Sequence, residues 1–216
     1  MRPALWEVDA QADFMLPGGK LYVPGAEKIA GNLNRLVESA RQDRAFLVSS
    51  ADAHSLSDPE FREWPPHCLK GTPGAELIPE ARAARCKVIP NQKGFALPRD
   101  LAAFQQVLLE KNTLDVFDNP NTEALLAQMS TAAGTGSGSP LEFLLFGVVT
   151  EHCVRYATEG LLRRGHRVSI VTDAIQSLDE KKGKAVLDEL QVRGARLITT
   201  KEALVMLGAD SRASSR

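Results

Sequence analysis

Cysteine, net charge and long apolar runs are all scarce in this chain. Three cysteines, Cys68, Cys86 and Cys153, are too few and oddly numbered for a disulfide framework. Each is read as a free thiol in a reducing compartment, one of them a candidate reactive group. Twenty-six Lys and Arg against 27 Asp and Glu leave a formal net charge of -1, which gives no electrostatic footprint for nucleic acid or an anionic membrane. The most apolar run, 141–150, contains Glu142 and is far below membrane-spanning length. The opening MRPALWEVDAQADF carries acidic residues where a signal peptide would carry its apolar stretch, so the expectation is a cytoplasmic protein. A small uncharged substrate is compatible with all of this, and so is a homo-oligomer.

What is present is an ordinary globular composition, 44% hydrophobic and 25% charged, in 216 residues. Collagen, coiled coil and disordered tail are excluded, and the length suits one sizeable domain. Apolar runs of strand length alternate with stretches of helical period, the pattern of βαβ units around a parallel sheet. Strands are predicted at 4–8, 45–50, 107–110, 143–149, 167–172 and 196–199. Helices are predicted at 25–41, 122–129, 151–164, 179–193 and 201–207. The fold class expected is therefore α/β, a three-layer sandwich with a mainly parallel six-stranded sheet, in a single domain over 1–208 followed by a frayed tail at 209–216. The Gly/Ser segment TAAGTGSGSP at 131–140 follows a helix and precedes a strand, the reverse of a phosphate loop, and is read as a mobile surface connection. Residues 49–91, rich in Pro, Gly and His with little periodicity, read as a functional loop.

In an open parallel sheet, ligands bind beyond the carboxyl ends of the strands. Asp9 follows the first strand, Asp52 and His54 the second, Lys111 closes the third and Cys153 follows the fourth at a helix start. Taken alone, Cys153 suits a small buried hydrophobe, Asp9 a turn residue and Lys111 a solvated lysine. Together they supply a thiol, a carboxylate able to take its proton and return it, and a cation that holds both ionised. The helix start is expected to lower the thiol pKa. A His152–Cys153 dyad is disfavoured because adjacent helical residues point in different directions.

A second constellation is Asp52-Ala53-His54 with His67 in WPPHC. Residues two apart in an extended segment point the same way, so Asp52 and His54 can share a ligand that His67 completes. Asp/His/His with open positions suits Zn, Mn or Fe, and Asp58, Glu60 and Glu63 offer a further carboxylate. The bland alternative is an acidic loop with surface histidines. Cys68 is expected to pack, since consecutive residues seldom aim at one ion.

These segments resemble the isochorismatase-like cysteine hydrolases, and within them the nicotinamidases. VDAQADF (8–14) looks like the superfamily's opening motif, Lys111 falls in its lysine position, GVVTEHCV (147–154) looks like its nucleophile turn, and DAH with WPPHCLKGTPGAEL (64–77) is similar to the nicotinamidase metal loop. The resemblance runs from about residue 5 to 207. It implies a metal-containing amidohydrolase acting on nicotinamide through a thioester, with Cys153 as nucleophile, Asp9 as proton shuttle and Lys111 as electrostatic partner. It further implies Asp52, His54 and His67 as ligands of one divalent metal, zinc before manganese or iron, with Glu60 as an extra ligand in some members. A cis Val148–Val149 peptide, an oxyanion hole from the Val149 and Cys153 amides, and pocket walls from Phe14 and Trp64 follow from the same match. Ala53 replaces the family's aromatic, His152 stands where tyrosine is frequent, and Phe117 becomes the aromatic after Lys111. The other readings are a superfamily amidase for another small amide, carbamoyl compound or ureide, and a non-catalytic metal-binding protein.

Overall fold

The computed structural model describes residues 3–134, 136 and 138–208. The expected tail at 209–216 lies outside them, as do Thr135 and Ser137 of the Gly/Ser connection. Seven parallel strands form one sheet: β1 (Ala4–Val8), β2 (Leu47–Asp52), β3 (Cys86–Ile89), β4 (Gln106–Lys111), β5 (Glu142–Val148), β6 (Arg167–Gln176) and β7 (Arg196–Ile198), in spatial order β3-β4-β2-β1-β5-β6-β7. The helices are α1 (Ala12–Met15), α2 (Ala30–Arg41), α3 (Thr122–Ala132), α4 (Arg155–Arg163), α5 (Glu180–Val192) and α6 (Thr200–Met206). None of the described helices is long and apolar enough to cross a membrane.

The three-layer α/β expectation holds, with one strand more than the six predicted. β3 is short, and its CKVI carries a lysine and no period-2 alternation, so it gives no strand signal inside the long irregular excursion. It forms only because β4 offers an open edge, where it pairs Cys86 with Gln106 through Ile89 with Leu109.

Period-2 alternation sorts side chains onto two cores. Leu5, Leu144, Phe146 and Val148 pack with Leu33, Leu36 and Val37 of α2 and with Ala203 and Leu204 of α6 on one face. Trp6, Val8, Phe143 and Leu145 pack with Leu125 and Leu126 of α3, Ala157 and Leu161 of α4 and Val186 and Leu190 of α5 on the other. β1 is central, and the chain leaves it toward β2 on one side and reaches β5 on the other only after β4. The strand order thus reverses between β1 and β5, opening a crevice at their carboxyl ends. Gly147 allows the two strands to close there: it has φ 120°, and a Cβ would stand 2.1 Å from the Val8 carbonyl oxygen.

Glu7, mid-β1, is the one charged residue the strand buries completely. Its Oε1 accepts from the Ala10 amide at 2.6 Å, while Oε2 is buried without a hydrogen-bond partner. Burial pushes its carboxyl from the ordinary 4.5 up to about 8, so the fold holds a proton that the unfolded chain releases above pH 4.5. That contribution to stability is complete below pH 4.5 and is lost as pH rises through 8. Glu7→Gln keeps an acceptor for Ala10 without the titration. Urea unfolding should show it level with wild type at pH 4, increasingly more stable by a few kcal/mol between pH 5 and 8, and constant above. A difference independent of pH would contradict this.

Candidate functional site

Each strand end delivers one group to the crevice. β2 and β4 pair in register with Asp52 opposite Lys111, their last residues, and Asp9 follows β1 directly in the left-handed region at φ 51°. β5 ends at Val148, the Val148–Val149 peptide is cis, and the chain enters a wide turn, Thr150–Val154, before α4. In that turn the Val154 amide donates to the Val149 carbonyl at 3.1 Å, an i→i+5 bond of the kind often found at functional sites. Cys153 sits in it, 7% exposed.

Lys111 is the hub. Its buried Nζ lies 2.9 Å from Asp9 Oδ2, pairs with Asp52 Oδ1 and donates to Cys153 Sγ at 3.6 Å. Burial alone would strip its proton, but Asp52 and Asp9 reverse this and hold it firmly as an ammonium. Asp52 is kept well below the usual carboxylate range, because Lys111, His54 and His67 outweigh its burial. Burial raises Asp9 despite Lys111, with the Asp52 charge adding to the rise, and Ser50 Oγ fixes Asp9 by donating to Oδ1 at 2.6 Å.

The expectation that a helix start lowers the Cys153 pKa is not met. Burial pushes the thiol well up, Lys111 opposes, and the nearby charges of Asp9 and Asp52 push it further. Cys153 therefore rests as a neutral thiol beside a carboxylate whose own proton affinity is raised, the pairing that proton transfer needs. Cys68 is fully buried, its thiol pushed up by burial and by the charges of Asp52 and Asp13, and burial pushes Cys86 up to about 11.

Across the same cleft, Asp52, His54, Glu60 and His67 each place one ligating atom within 4.8 Å of the others. His54 Nδ1 is engaged by Asp58 Oδ2 at 3.0 Å and His67 Nδ1 by the Pro65 carbonyl at 2.8 Å, which turns both Nε2 atoms toward the shared centre. These stand 3.7 Å from Asp52 Oδ2 and 3.8–3.9 Å from Glu60 Oε1, too far for hydrogen bonds and a few tenths of an ångström wider than the roughly 3.4 Å between tetrahedral ligands of one ion bonded at about 2.1 Å. His54 Nε2 is buried with no hydrogen-bond partner, an orphan that a cation would satisfy. The residues fit a divalent metal. Of the three carboxylates offered by the sequence, Glu60 joins the group and Asp58 orients His54, while Glu63 contributes nothing to it.

Between the two groups lies a cleft with about 390 Å³ of empty space, its mouth included. Phe14, Trp64 and His152 line it as expected, with the Trp64 and His152 rings T-shaped at 5.6 Å. Phe117 does not. It stacks on Trp6 at 6.2 Å on the α3–α5 side of the sheet, beneath the Arg164 guanidinium at 3.7 Å and against Gly160. Leu114 takes the wall position, because Asp115 caps the following turn through the Phe117 amide and rotates Phe117 inward.

Sequence reasoning missed Gln11, although it lies inside VDAQADF. Its Nε2 donates to the Asp52 and Ala75 carbonyls, both at 2.8 Å, and its Oε1 accepts the Asp52 amide at 2.7 Å, clamping the backbone on which both constellations depend. The walls Leu21, Val23 and Leu178 were also missed; each is apolar in a loop or edge position with no spacing to mark it.

A buried thiol, carboxylate and ammonium beside a cation-ready carboxylate and histidine group, at the switch point of a parallel α/β sheet, define the class, and the sequence agrees. The chain belongs to the isochorismatase family, whose Isochorismatase domain matches residues 3–96 and 81–202. Among its relatives is the nicotinamidase/pyrazinamidase of Mycobacterium tuberculosis, 26% identical over 202 residues that cover 90% of this chain and 97% of that one. The structure of the pyrazinamidase of Pyrococcus horikoshii in complex with zinc is similar at a TM-score of 0.69 and 27% identity, covering 92% and 99% of the two chains. The N-carbamoylsarcosine amidase of Thermoplasma acidophilum is as similar, with TM-score 0.69, 27% identity and coverage of 93% and 97%.

The position of Phe117 has a consequence for mutants. Phe117→Ala should cost roughly 3 kcal/mol in denaturant unfolding, the low end for an aromatic in a core because the ring is half-buried. The rate at which small reagents reach Cys153 should not change. A faster Cys153 reaction at unaltered stability would return Phe117 to the cleft.

Proposed function

We propose that this protein is a metal-containing cysteine amidohydrolase that converts nicotinamide to nicotinate and ammonia. The observation that carries the reading is the set of contacts Lys111 makes, at 2.9 Å to Asp9 and 3.6 Å to Cys153, in a buried crevice that the Asp52, His54, Glu60 and His67 group also faces. Asp9 takes the Cys153 proton as Sγ attacks the carboxamide carbon, and Lys111 offsets the negative charge that passes between them. The oxyanion is received by the Val149 and Cys153 amides, donors typically worth about 3–4 kcal/mol. Collapse breaks the C–N bond, and Asp9 returns its proton to the departing nitrogen, leaving a thioester and ammonia. Asp9 then deprotonates a water that attacks the thioester; collapse breaks the C–S bond, Asp9 returns that proton to Sγ, and the carboxylic acid is released with the thiol restored.

The two-histidine, two-carboxylate donor set suits zinc, manganese or iron, and the likeness to a pyrazinamidase in complex with zinc puts zinc first. Asp52, His54, Glu60 and His67 would hold the metal, which would supply a Lewis acid able to take a ring nitrogen as a ligand. Phe14 and Trp64 are flat walls suited to a planar ring. His152 on the cleft wall in place of tyrosine, with the equal likeness to a carbamoyl amidase, favours a second reading: a hydrolase of the same chemistry for a different small amide or carbamoyl compound.

Ammonia release across an amide panel decides between them. Nicotinamide should turn over fastest, benzamide much more slowly for want of the ring nitrogen, and Cys153→Ala should be inactive but folded. Asp9→Asn and Lys111→Met should each be severely impaired, with losses that do not add because the three groups act as a unit. Nicotinamide no faster than a simple aliphatic amide would reject the substrate, and activity in Cys153→Ala would reject the mechanism.

Elemental analysis of protein purified without chelator or added metal should find one transition metal per chain. His54→Ala should lower that occupancy more than Glu60→Ala. A metal-free, fully active protein would reduce these residues to a loop-ordering role.

A further inference from the structure

The two helices that follow β6 and β7 begin differently. At α6, Thr199 and Glu202 close a complete capping box within the helix, the Glu202 carboxylate accepting the Thr199 amide at 2.7 Å. At α5, Asp179 accepts the Lys181 and Lys182 amides at 2.9 and 3.1 Å, but the position where a box needs Glu or Gln is Lys182, which has no acceptor. The missing acceptor comes from another element. Glu151, two residues before Cys153 in the wide turn, takes the Asp179 amide on Oε1 at 2.7 Å. Its other oxygen is buried without a hydrogen-bond partner, so this carboxyl is desolvated for the sake of a single reach.

That reach spans the cleft wall. Leu178, between β6 and the cap, lines the cleft with Cys153 and His152 and is 37% exposed at its mouth. The first turn of α5 is pressed onto the same loop, since a Cβ on Gly183 would stand 2.0 Å from Ser177 Oγ and 3.8 Å from Thr150 Cβ. We propose that Glu151 is a positioning residue: by completing the capping box of α5 from the thiol-bearing turn, it fixes Leu178 relative to Cys153 and sets how wide a group the cleft admits. The consequence for amide substrates rests on the hydrolase reading above; the consequence for access to Cys153 does not.

The test compares the rates at which iodoacetamide and the bulky N-(1-pyrenyl)maleimide modify Cys153, followed on the Cys153 peptide by mass spectrometry. The ratio of the two rates cancels the intrinsic reactivity of the thiol. Glu151→Gln keeps a carbonyl acceptor and should keep the wild-type ratio. Glu151→Ala should raise the bulky-to-small ratio roughly fivefold, the factor a lost capping bond represents, and Leu178→Ala should raise it too. The double variant Glu151→Ala with Lys182→Glu lets α5 close its own box. It should regain thermal stability yet keep the raised ratio, and it carries the test if Glu151→Ala alone does not fold. A ratio unmoved by Glu151→Ala, or restored by Lys182→Glu, would overturn the proposal by making Glu151 a helix cap and nothing more. In parallel, KM for nicotinamide relative to a ring-substituted nicotinamide should shift with the ratio in Glu151→Ala and stay at the wild-type value in Glu151→Gln. A shifted alkylation ratio in a protein that hydrolyses no amide would sink the hydrolase reading and leave the positioning role standing.

Discussion

One buried ammonium holds this site together. Lys111 is 1% exposed and meets Asp9, Asp52 and the Cys153 thiol at once, so two carboxylates that would each be costly to bury alone share a single counter-charge. The balance is incomplete, because two buried carboxylates face one lysine and Glu60 adds a third negative charge a short distance away. Burial and the Asp52 charge push Glu60 above its ordinary value, the mark of an uncompensated carboxyl. A divalent cation among Asp52, His54, Glu60 and His67 would correct that excess. Asp52 is the joint between the halves, with one oxygen on Lys111 and the other facing both imidazoles.

The topology explains why these residues meet although more than forty positions separate Lys111 from Asp52 and from Cys153 in sequence. β1 is central and the chain reverses its direction of travel across the sheet beside it, so Asp9, the end of β2, the end of β4 and the turn after β5 open on one crevice. Gln11 and Ser50 then remove the remaining freedom, clamping the Asp52 backbone and one Asp9 oxygen. Two hydrophobic cores, one on each face of the sheet, leave Glu7 as a buried charge within β1 and gather the crevice's own charged groups at the strand ends, where water and ligand enter.

Much of this was legible in the sequence because strands buried on both faces advertise themselves as apolar runs, and the residues just past them are the ones a parallel sheet presents. Asp9, Asp52, His54, Lys111 and Cys153 follow from that rule, and His67 from the WPPHC segment that returns to complete the Asp52 and His54 pair. What failed depended on tertiary context. β3 is held by the edge of β4 and not by its own alternation. Phe117 lies close to Lys111 in sequence but is turned into the core by the cap at Asp115. The thiol pKa followed burial and neighbouring carboxylates that no local motif reveals, and Gln11 and Glu151 act through backbone amides far away in the chain.

The central claim is that Lys111 and its two carboxylates are one electrostatic unit, and a double-mutant cycle between Lys111→Met and Asp52→Asn, read by urea unfolding, tests it most directly. Lys111→Met alone leaves two buried carboxylates uncompensated and should cost about 3–5 kcal/mol, much of which Asp52→Asn should recover in the double variant. Losses that simply add would show that the two side chains are neighbours without being partners, and the account built on Lys111 would fail.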